Sequence, residues 1–425
     1  GDLGNDVAGG VEIADADLEG AVLGPFLTDA DRPDNCVNAG NTERTPNRDE
    51  PMTLSDVTWE NTVCPDGTNS DDNGMTCGGH LYPGTMEVCD TKPEASCPNA
   101  QLVDFDLRGA NLQEATLSGA NLERANLTDS ILEEADLDNA NLDGADLTGA
   151  FADDVVLSGA SVNGLQAERA SLRNAQFPMA TARTYDNGDE ILRANFASAD
   201  LSNALFGGAR FEDASFVGAV LTDSDFNQSC LEGANLSGAD LSRAHLRGSG
   251  MRETLLIDSN LNGALATQVC LEGARLQGLQ AHEASLMATD ASGADLTAAV
   301  LVGADWSLGR LDGAIMTQAV LVDADFGGAS LTGVDFGGAD LSGADFRCAD
   351  LLDARVNART RIDGLDIRGA TGLRGEGGFL DKLIEQFGEE AVADQLETAD
   401  RPDHPDCNAG RPRSTCECPC SCLGQ

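Results

Sequence analysis

Basic residues are scarce in this chain. Of 425 residues, 26 are Lys or Arg against 72 Asp or Glu, and the formal net charge is −46. Only Lys92 and Lys382 are lysines. Such a surface repels phosphate, which excludes direct nucleic-acid binding, and it attracts cations or basic partners. The charge suits a halotolerant or calcium-rich environment. Histidine is also rare: His80, His245, His282 and His404 each stand alone. No nucleophile elbow, phosphate loop or zinc-protease motif occurs, so no enzyme is expected. Nor does any apolar run approach the length of a membrane span. The chain starts at Gly1 rather than Met, and the expectation is a processed or truncated product, with a removed signal peptide as the natural cause.

What the sequence does have is a period of five. From Leu102 to Phe177 every fifth residue is apolar, and the residue two before it is usually Ala, as in Ala110-Asn111-Leu112 and Ala145-Asp146-Leu147. The frame slips by one and resumes from Phe196 to Val356. Five matches neither the helical period of 3.6 nor the strand period of 2. It suits a chain that turns one corner per repeat and sends two side chains to the axis. The small one is Ala, Ser, Thr or Val, and the larger one is Leu, Phe, Met or Trp306. Polar residues fill the other three positions, with Gly at turns such as Ser118-Gly119 and Leu331-Thr332-Gly333.

On these residues the chain resembles the pentapeptide-repeat family, whose pattern is Ala-(Asp/Asn)-Leu-X-X. The resemblance implies an all-β solenoid, a right-handed quadrilateral β-helix with four repeats per coil. That is about 12 coils and a rod on the order of 60 Å long at roughly 4.8 Å per coil. The organisation expected is an irregular cysteine-containing region over 1–100, with stray repeats at 11–25. The β-helix follows over 101–177, an inserted loop over 178–190, and more β-helix over 191–357. An end cap occupies 358–399 and a cysteine-rich tail 400–425. The loop is either a contact point for a partner or a tolerated insertion. Gly378 to Ala399 reads as an amphipathic helix through Phe379, Leu380, Leu383, Ile384, Phe387, Val392 and Leu396. It is expected to cap the last coil, and the sharper alternative is a helix that forms a dimer. The stray repeats would cap their own rod or add a coil to a neighbour's.

Thirteen cysteines argue for export, with disulfides holding the irregular ends. Cys36, Cys64, Cys77, Cys89 and Cys97 precede the array, and Cys407, Cys416, Cys418, Cys420 and Cys422 follow it. Cys230, Cys270 and Cys348 lie within it. Cys230 and Cys270 occupy equivalent positions two coils, or roughly 10 Å, apart, beyond the 7 Å or so that a disulfide spans. They are expected not to pair with each other. The segment Ala30-Asp31-Arg32-Pro33-Asp34, leading to Cys36, recurs as Ala399-Asp400-Arg401-Pro402-Asp403 before Cys407. It is either a duplicated disulfide turn or a matched pair of junction pieces.

The segment Cys64 to Cys77 is similar to a cysteine-bracketed segment that accompanies pentapeptide repeats in exported bacterial proteins. That resemblance implies a Cys64–Cys77 disulfide. Inside it, Asp66, Asn69, Asp71 and Asn73 place oxygen ligands as in the first half of a calcium loop. His80 stands where the bidentate Glu would be, so a structural turn is the competing reading. The alternating thiols of Cys416 to Cys422 suit distant disulfide partners, or a soft metal, better than structural zinc. Asp305, Asp325 and Asp345 recur every twenty residues and should stack as an acidic ladder, either solvated or calcium-bound. No cofactor is required; calcium is the one that these groups would suit.

Three functions fit. The first is an exported, non-enzymatic structural rod that assembles with itself, end to end or as a dimer, into a fibre or surface layer. The second is an adhesion or spacer protein that meets a cell-surface partner through its loop. The third is an acidic DNA mimic acting on DNA gyrase, as some cytoplasmic members of the family do. Thirteen cysteines speak against a cytosolic mimic.

Overall fold

A computed structural model describes residues 93–182, 185–186, 191–374, 379–389 and 392. The chain divides into two compact units, Gly1–Ala194 and Asn195–Gln425.

Both units are built from one event repeated every five residues. The large apolar residue starts a turn, and its carbonyl accepts from the N–H three residues on, as Leu117 accepts from Ala120 (2.9 Å) and Leu241 from Ala244 (3.0 Å). The third residue of each turn has positive φ: Gly119 lies at +67° and Gly333 at +72°. Many of these positions are not glycine. Asp104 (+58°), Arg124 (+55°) and Glu253 (+55°) adopt the same strained backbone, held by regular hydrogen bonds to the next coil. Leu102 N donates to Asn121 O at 2.6 Å and Asp104 N to Glu123 O at 2.8 Å. Parallel bridges join residues twenty apart, such as Gln101↔Asn121 and Asp305↔Asp325. Twenty residues make four repeats per coil.

The Asp or Asn before each central residue has a local role as well as a solvated one. Its side-chain oxygen accepts the N–H two residues on, as Asn121 does from Glu123 (3.2 Å) and Asp240 from Ser242 (3.0 Å). This clasp steadies the corner. Where Ser or Thr replaces the small Ala, the buried hydroxyl donates to the carbonyl three residues back: Ser229 to Phe226 (2.8 Å) and Thr254 to Met251 (2.8 Å). Lumen hydroxyls are mostly paired in this way; Ser130 differs, its Oγ being buried without a hydrogen-bond partner among the described residues.

Three boundaries differ from expectation. The array begins earlier than 101: Ala95, Cys97 and Ala100 are buried, and Cys97 occupies a lumen position in place of Leu. The repeat also carries through Pro178 to Ala182, with the bridge Ser161↔Thr181, rather than breaking at 178. Within the insertion, β1 (Tyr185–Asp186) pairs antiparallel with β2 (Ile191–Leu192). At the other end, one extra residue near Asn357 shifts the frame, and the bridges Asp340↔Arg361 and Asp350↔Thr371 then span 21 residues. Thr360 absorbs the slip: its hydroxyl donates to Phe336 O (2.9 Å) and accepts Gly338 N and Asn357 N (both 3.1 Å). The β-helix continues through Thr371 rather than ending at 357.

Above that coil sits α1 (Phe379–Phe387), ended by Gly388 at φ +84°. Phe379, Leu380, Leu383 and Val392 are buried. The Phe379 ring lies 6.5 Å from both Phe336 and Phe346. In the coil below, the Ala349 carbonyl receives an N–H from Thr371. Ala354 is the next such carbonyl, and Lys382 Nζ donates to it at 2.9 Å. The helix thus caps the last coil of its own chain.

Candidate functional site

Two outward faces of the second unit concentrate the charged and reactive residues. The first carries the acidic ladder, and the structure brings Asp305, Asp325 and Asp345 into successive bridges, followed by Asp366. Each of the three accepts its local N–H: Ser307 to Asp305 (2.9 Å), Gly327 to Asp325 (2.7 Å) and Arg347 to Asp345 (2.8 Å). Arg347 also pairs with Asp345 through its guanidinium, at 2.5 Å. Asp325 lies between two carboxylates. Burial, with the charges of Asp345 and Asp305 added, raises its pKa despite the Gly327 N–H and the Arg347 charge. The carboxylates stack in line: among the described residues no three His, Cys, Asp or Glu side chains form a group that could hold a metal ion.

This arrangement gives a test with a definite sign. Asp325 has a folded-state pKa above its unfolded value, so the folded chain binds more protons between the two. Stability therefore falls as pH rises through that window. Asp325→Asn keeps the acceptor for Gly327 N and removes the repulsion. An Asn-on-Asn rung already exists, where Asn141 donates to Asn121 at 3.1 Å. The expected result is a gain of about 0.5–1 kcal/mol at pH 7 after solvent screening. The gain should shrink as pH falls through the raised pKa. Thermal unfolding of the two proteins at several pH values checks it, and an equal gain at every pH would refute the repulsion.

Elsewhere carboxylates are relieved by arginines one coil away. Burial alone would raise Asp153, but Arg173 and Ser171 hydrogen-bond it and hold it below the ordinary carboxylate range. Arg124 reaches Asp104 at 2.6 Å, and Arg243 reaches Asp223 at 2.5 Å.

The second face carries Arg210, Cys230, Gly250, Cys270, Asp290 and Arg310 in successive bridges. Cys230 and Cys270 lie two rungs apart, as the spacing predicts, and both are disulfide-bonded. Cys97 and Cys348 are disulfide-bonded too. The other cysteines proposed as staples (Cys36, Cys64, Cys77, Cys89, Cys407, Cys416, Cys418, Cys420 and Cys422) lie outside the described residues. So do the calcium-loop residues Asp66, Asn69, Asp71 and Asn73, and the stray repeats at 11–25. Burial of this outward face was not readable from the repeat, which makes every such position look solvated.

The family model of pentapeptide repeats matches repeatedly, over residues 94–129, 120–159, 135–174, 194–233, 234–273, 292–327 and 324–357. Together these segments span more than half of the chain. The chain belongs to the pentapeptide-repeat family. Among solved structures, this pentapeptide-repeat protein is similar to HetL of the cyanobacterium Nostoc sp. strain PCC 7120, a pentapeptide repeat protein involved in heterocyst differentiation regulation. The identity is 24%, over 68% of this chain and 93% of HetL, with a TM-score of 0.21. Rfr23 from the cyanobacterium Cyanothece 51142 is 27% identical over 23% of this chain and 61% of its own, with a TM-score of 0.19. Full-length QnrB1, a plasmid-mediated fluoroquinolone resistance protein, is 16% identical over 46% of this chain and 100% of its own, with a TM-score of 0.18. At such TM-scores the superpositions carry no argument, and the assignment rests on the repeats. No curated protein matches the chain. Among the described residues, no helix is long and apolar enough to cross a membrane.

Proposed function

We propose that this protein is a non-enzymatic, exported structural protein that assembles with itself end to end. The observation that carries this reading is the division between a filled interior and polar faces. Ala, Leu and Phe close the lumen, and the outward rungs are clasped Asp, Asn and Ser. Such a molecule offers length, charge and surface, and its interior has no room for a substrate. Four disulfide-bonded cysteines within the repeats support an oxidising compartment. Because α1 covers the last coil, the junction between molecules would use the terminal cysteine segments instead of bare strand edges.

Negative-stain microscopy of the non-reduced protein, with calcium, tests this. End-to-end oligomers that separate on adding reductant are the expected result. Separate particles under both conditions would reject it. The adhesion reading draws on the β1–β2 hairpin, an insertion in an otherwise regular array. The gyrase reading draws only on the net charge of −46, and the disulfide-bonded cysteines oppose it.

A further inference from the structure

We infer that Asn126 and Asn235 are attachment sites for N-linked sugar, held by the fold with the amide nitrogen outward and the required hydroxyl beside it. The inference rests on the export part of the reading above and adds a modification to it.

The acceptor pattern for such sugar is Asn-x-Ser/Thr, with x other than Pro. It occurs three times in this sequence, as Asn126-Leu127-Thr128, Asn227-Gln228-Ser229 and Asn235-Leu236-Ser237. Asn126 is an outward rung residue between Asp106 and Asp146, and Asn235 is one between Ser215 and Leu255. Asn126 Oδ1 accepts both the Thr128 N–H (3.1 Å) and the Thr128 hydroxyl (2.7 Å). Asn235 Oδ1 accepts the Ser237 N–H (3.1 Å) and the Ser237 hydroxyl (2.7 Å) in the same way. Two donors on one atom fix which end of the amide is the oxygen. Each Nδ2 is therefore turned away from the clasp. It makes no hydrogen bond among the described residues, and it is not a buried atom. Thr128 and Ser237 are themselves only half-buried corner residues.

The third match is built differently. Ser229 is fully buried in the lumen, where its hydroxyl donates to Phe226 O at 2.8 Å. An enzyme that must read that hydroxyl cannot reach it in the folded chain. Other rung amides are already used between coils: Asn141 Nδ2 donates to Asn121 (3.1 Å) and Asn260 Nδ2 to Asp240 (2.9 Å). Neither of those has a hydroxyl two residues on. The hydroxyl clasp also forms on an aspartate, from Ser202 to Asp200 at 2.6 Å, so the clasp belongs to the corner. What sets Asn126 and Asn235 apart is an unused amide nitrogen beside a reachable hydroxyl.

The donor class is a lipid-linked sugar phosphate, and the transfer is made by an oligosaccharyltransferase on the exported side of a membrane. Nδ2 attacks the anomeric carbon and a C–N bond forms. The C–O bond to the phosphate breaks, the lipid phosphate leaves with the electron pair, and Nδ2 gives up one proton. Nothing is oxidised or reduced. A bulky, hydrophilic sugar at Asn126 and Asn235 keeps those two faces from packing side by side on another molecule. The ends are then left for contact.

Peptide mapping of the full chain tests this. Trypsin with a glutamate-specific protease places Asn126 in peptide 125–133, Asn227 in 213–232 and Asn235 in 233–243. The folded chain is incubated with an oligosaccharyltransferase and a lipid-linked oligosaccharide, and synthetic peptide 213–232 is treated alongside. Peptides 125–133 and 233–243 are expected to gain the sugar mass, and 213–232 to gain it only as the free peptide. Thr128→Ala should abolish the gain at Asn126 and leave Asn235 unchanged, whereas Thr128→Ser should keep both. A folded chain that stays bare at Asn126 and Asn235, or that is modified at Asn227, overturns the assignment. The same mapping of the chain from the cells that make it separates this inference from the export reading. An exported chain bare at both sites overturns the sugar and leaves export standing; a chain confined to the cytosol overturns both.

Discussion

Phe216→Ala should destabilise the second unit by about 3–5 kcal/mol, the usual cost of truncating a buried Phe. Phe216 lies within a run of lumen aromatics. Its ring stacks on Phe196 at 5.1 Å and meets Phe206 and Phe226 edge-on, each at 6.1 Å. Phe206 and Phe226 stack at 4.3 Å. With Phe211, 5.8 Å from Phe216, five rings share one packing problem across adjacent coils. Removing the central one leaves a void that hydrogen-bonded coils cannot collapse to fill. Coils contact only their neighbours along the array, so the loss should propagate to adjacent coils first. Phe216→Leu is the control. Leu is the commonest residue at this position, and its cost should stay below about 1.5 kcal/mol. Urea unfolding with the disulfides intact measures both. If Phe216→Ala stayed within about 1 kcal/mol of the parent protein, lumen packing would not be what sets stability here.

The aromatic run was legible as lumen residues because the five-residue period names them. The period names Trp306 in the same way, and its side chain is fully buried. Legibility failed where the period was interrupted by a single residue. The slip at Asn357 looks in sequence like the end of the array, because Ile362 and Ile367 fall out of frame. In the structure Thr360 bonds three backbone groups and the coil continues. Cys97 was missed for a different reason. A cysteine there reads as a staple, and Cys97 is disulfide-bonded, but it also fills a Leu position in the lumen, and Ala95 and Ala100 around it carried the period. The twenty-residue spacing of Asp305, Asp325 and Asp345 was legible as a ladder once four repeats per coil was taken from the family. What the spacing could not give was the clasp each carboxylate makes to its own backbone, which accounts for Asp at these positions without a ligand. The buried face at Cys230 and Cys270 was not legible at all.

Phe379→Ala should release α1 from the end of the β-helix and expose the last coil. The ring contacts Phe336 and Phe346 at 6.5 Å each, and its loss costs about 3–5 kcal/mol if the site does not collapse. A nine-residue helix has little stability of its own. The remaining anchors are Leu380, Leu383 and Val392, the Lys382 bond to Ala354 O, and the backbone bonds from Phe379 N to Gly372 O (3.0 Å) and Leu380 N to Leu373 O (2.8 Å). They are too few to hold it once the Phe is gone. The Ala354 carbonyl and the rungs near Thr371 would then present free strand-edge groups, which pair readily with another chain. Amide hydrogen exchange should accelerate over 379–387 and near 371 while coils around 300–340 keep their protection. Light scattering should show concentration-dependent association that the parent protein lacks when reduced. Unchanged exchange would mean that the helix does not depend on this contact. Faster exchange without association would mean that the uncovered coil is not a pairing edge, and any self-assembly would then have to run through the terminal cysteine segments alone.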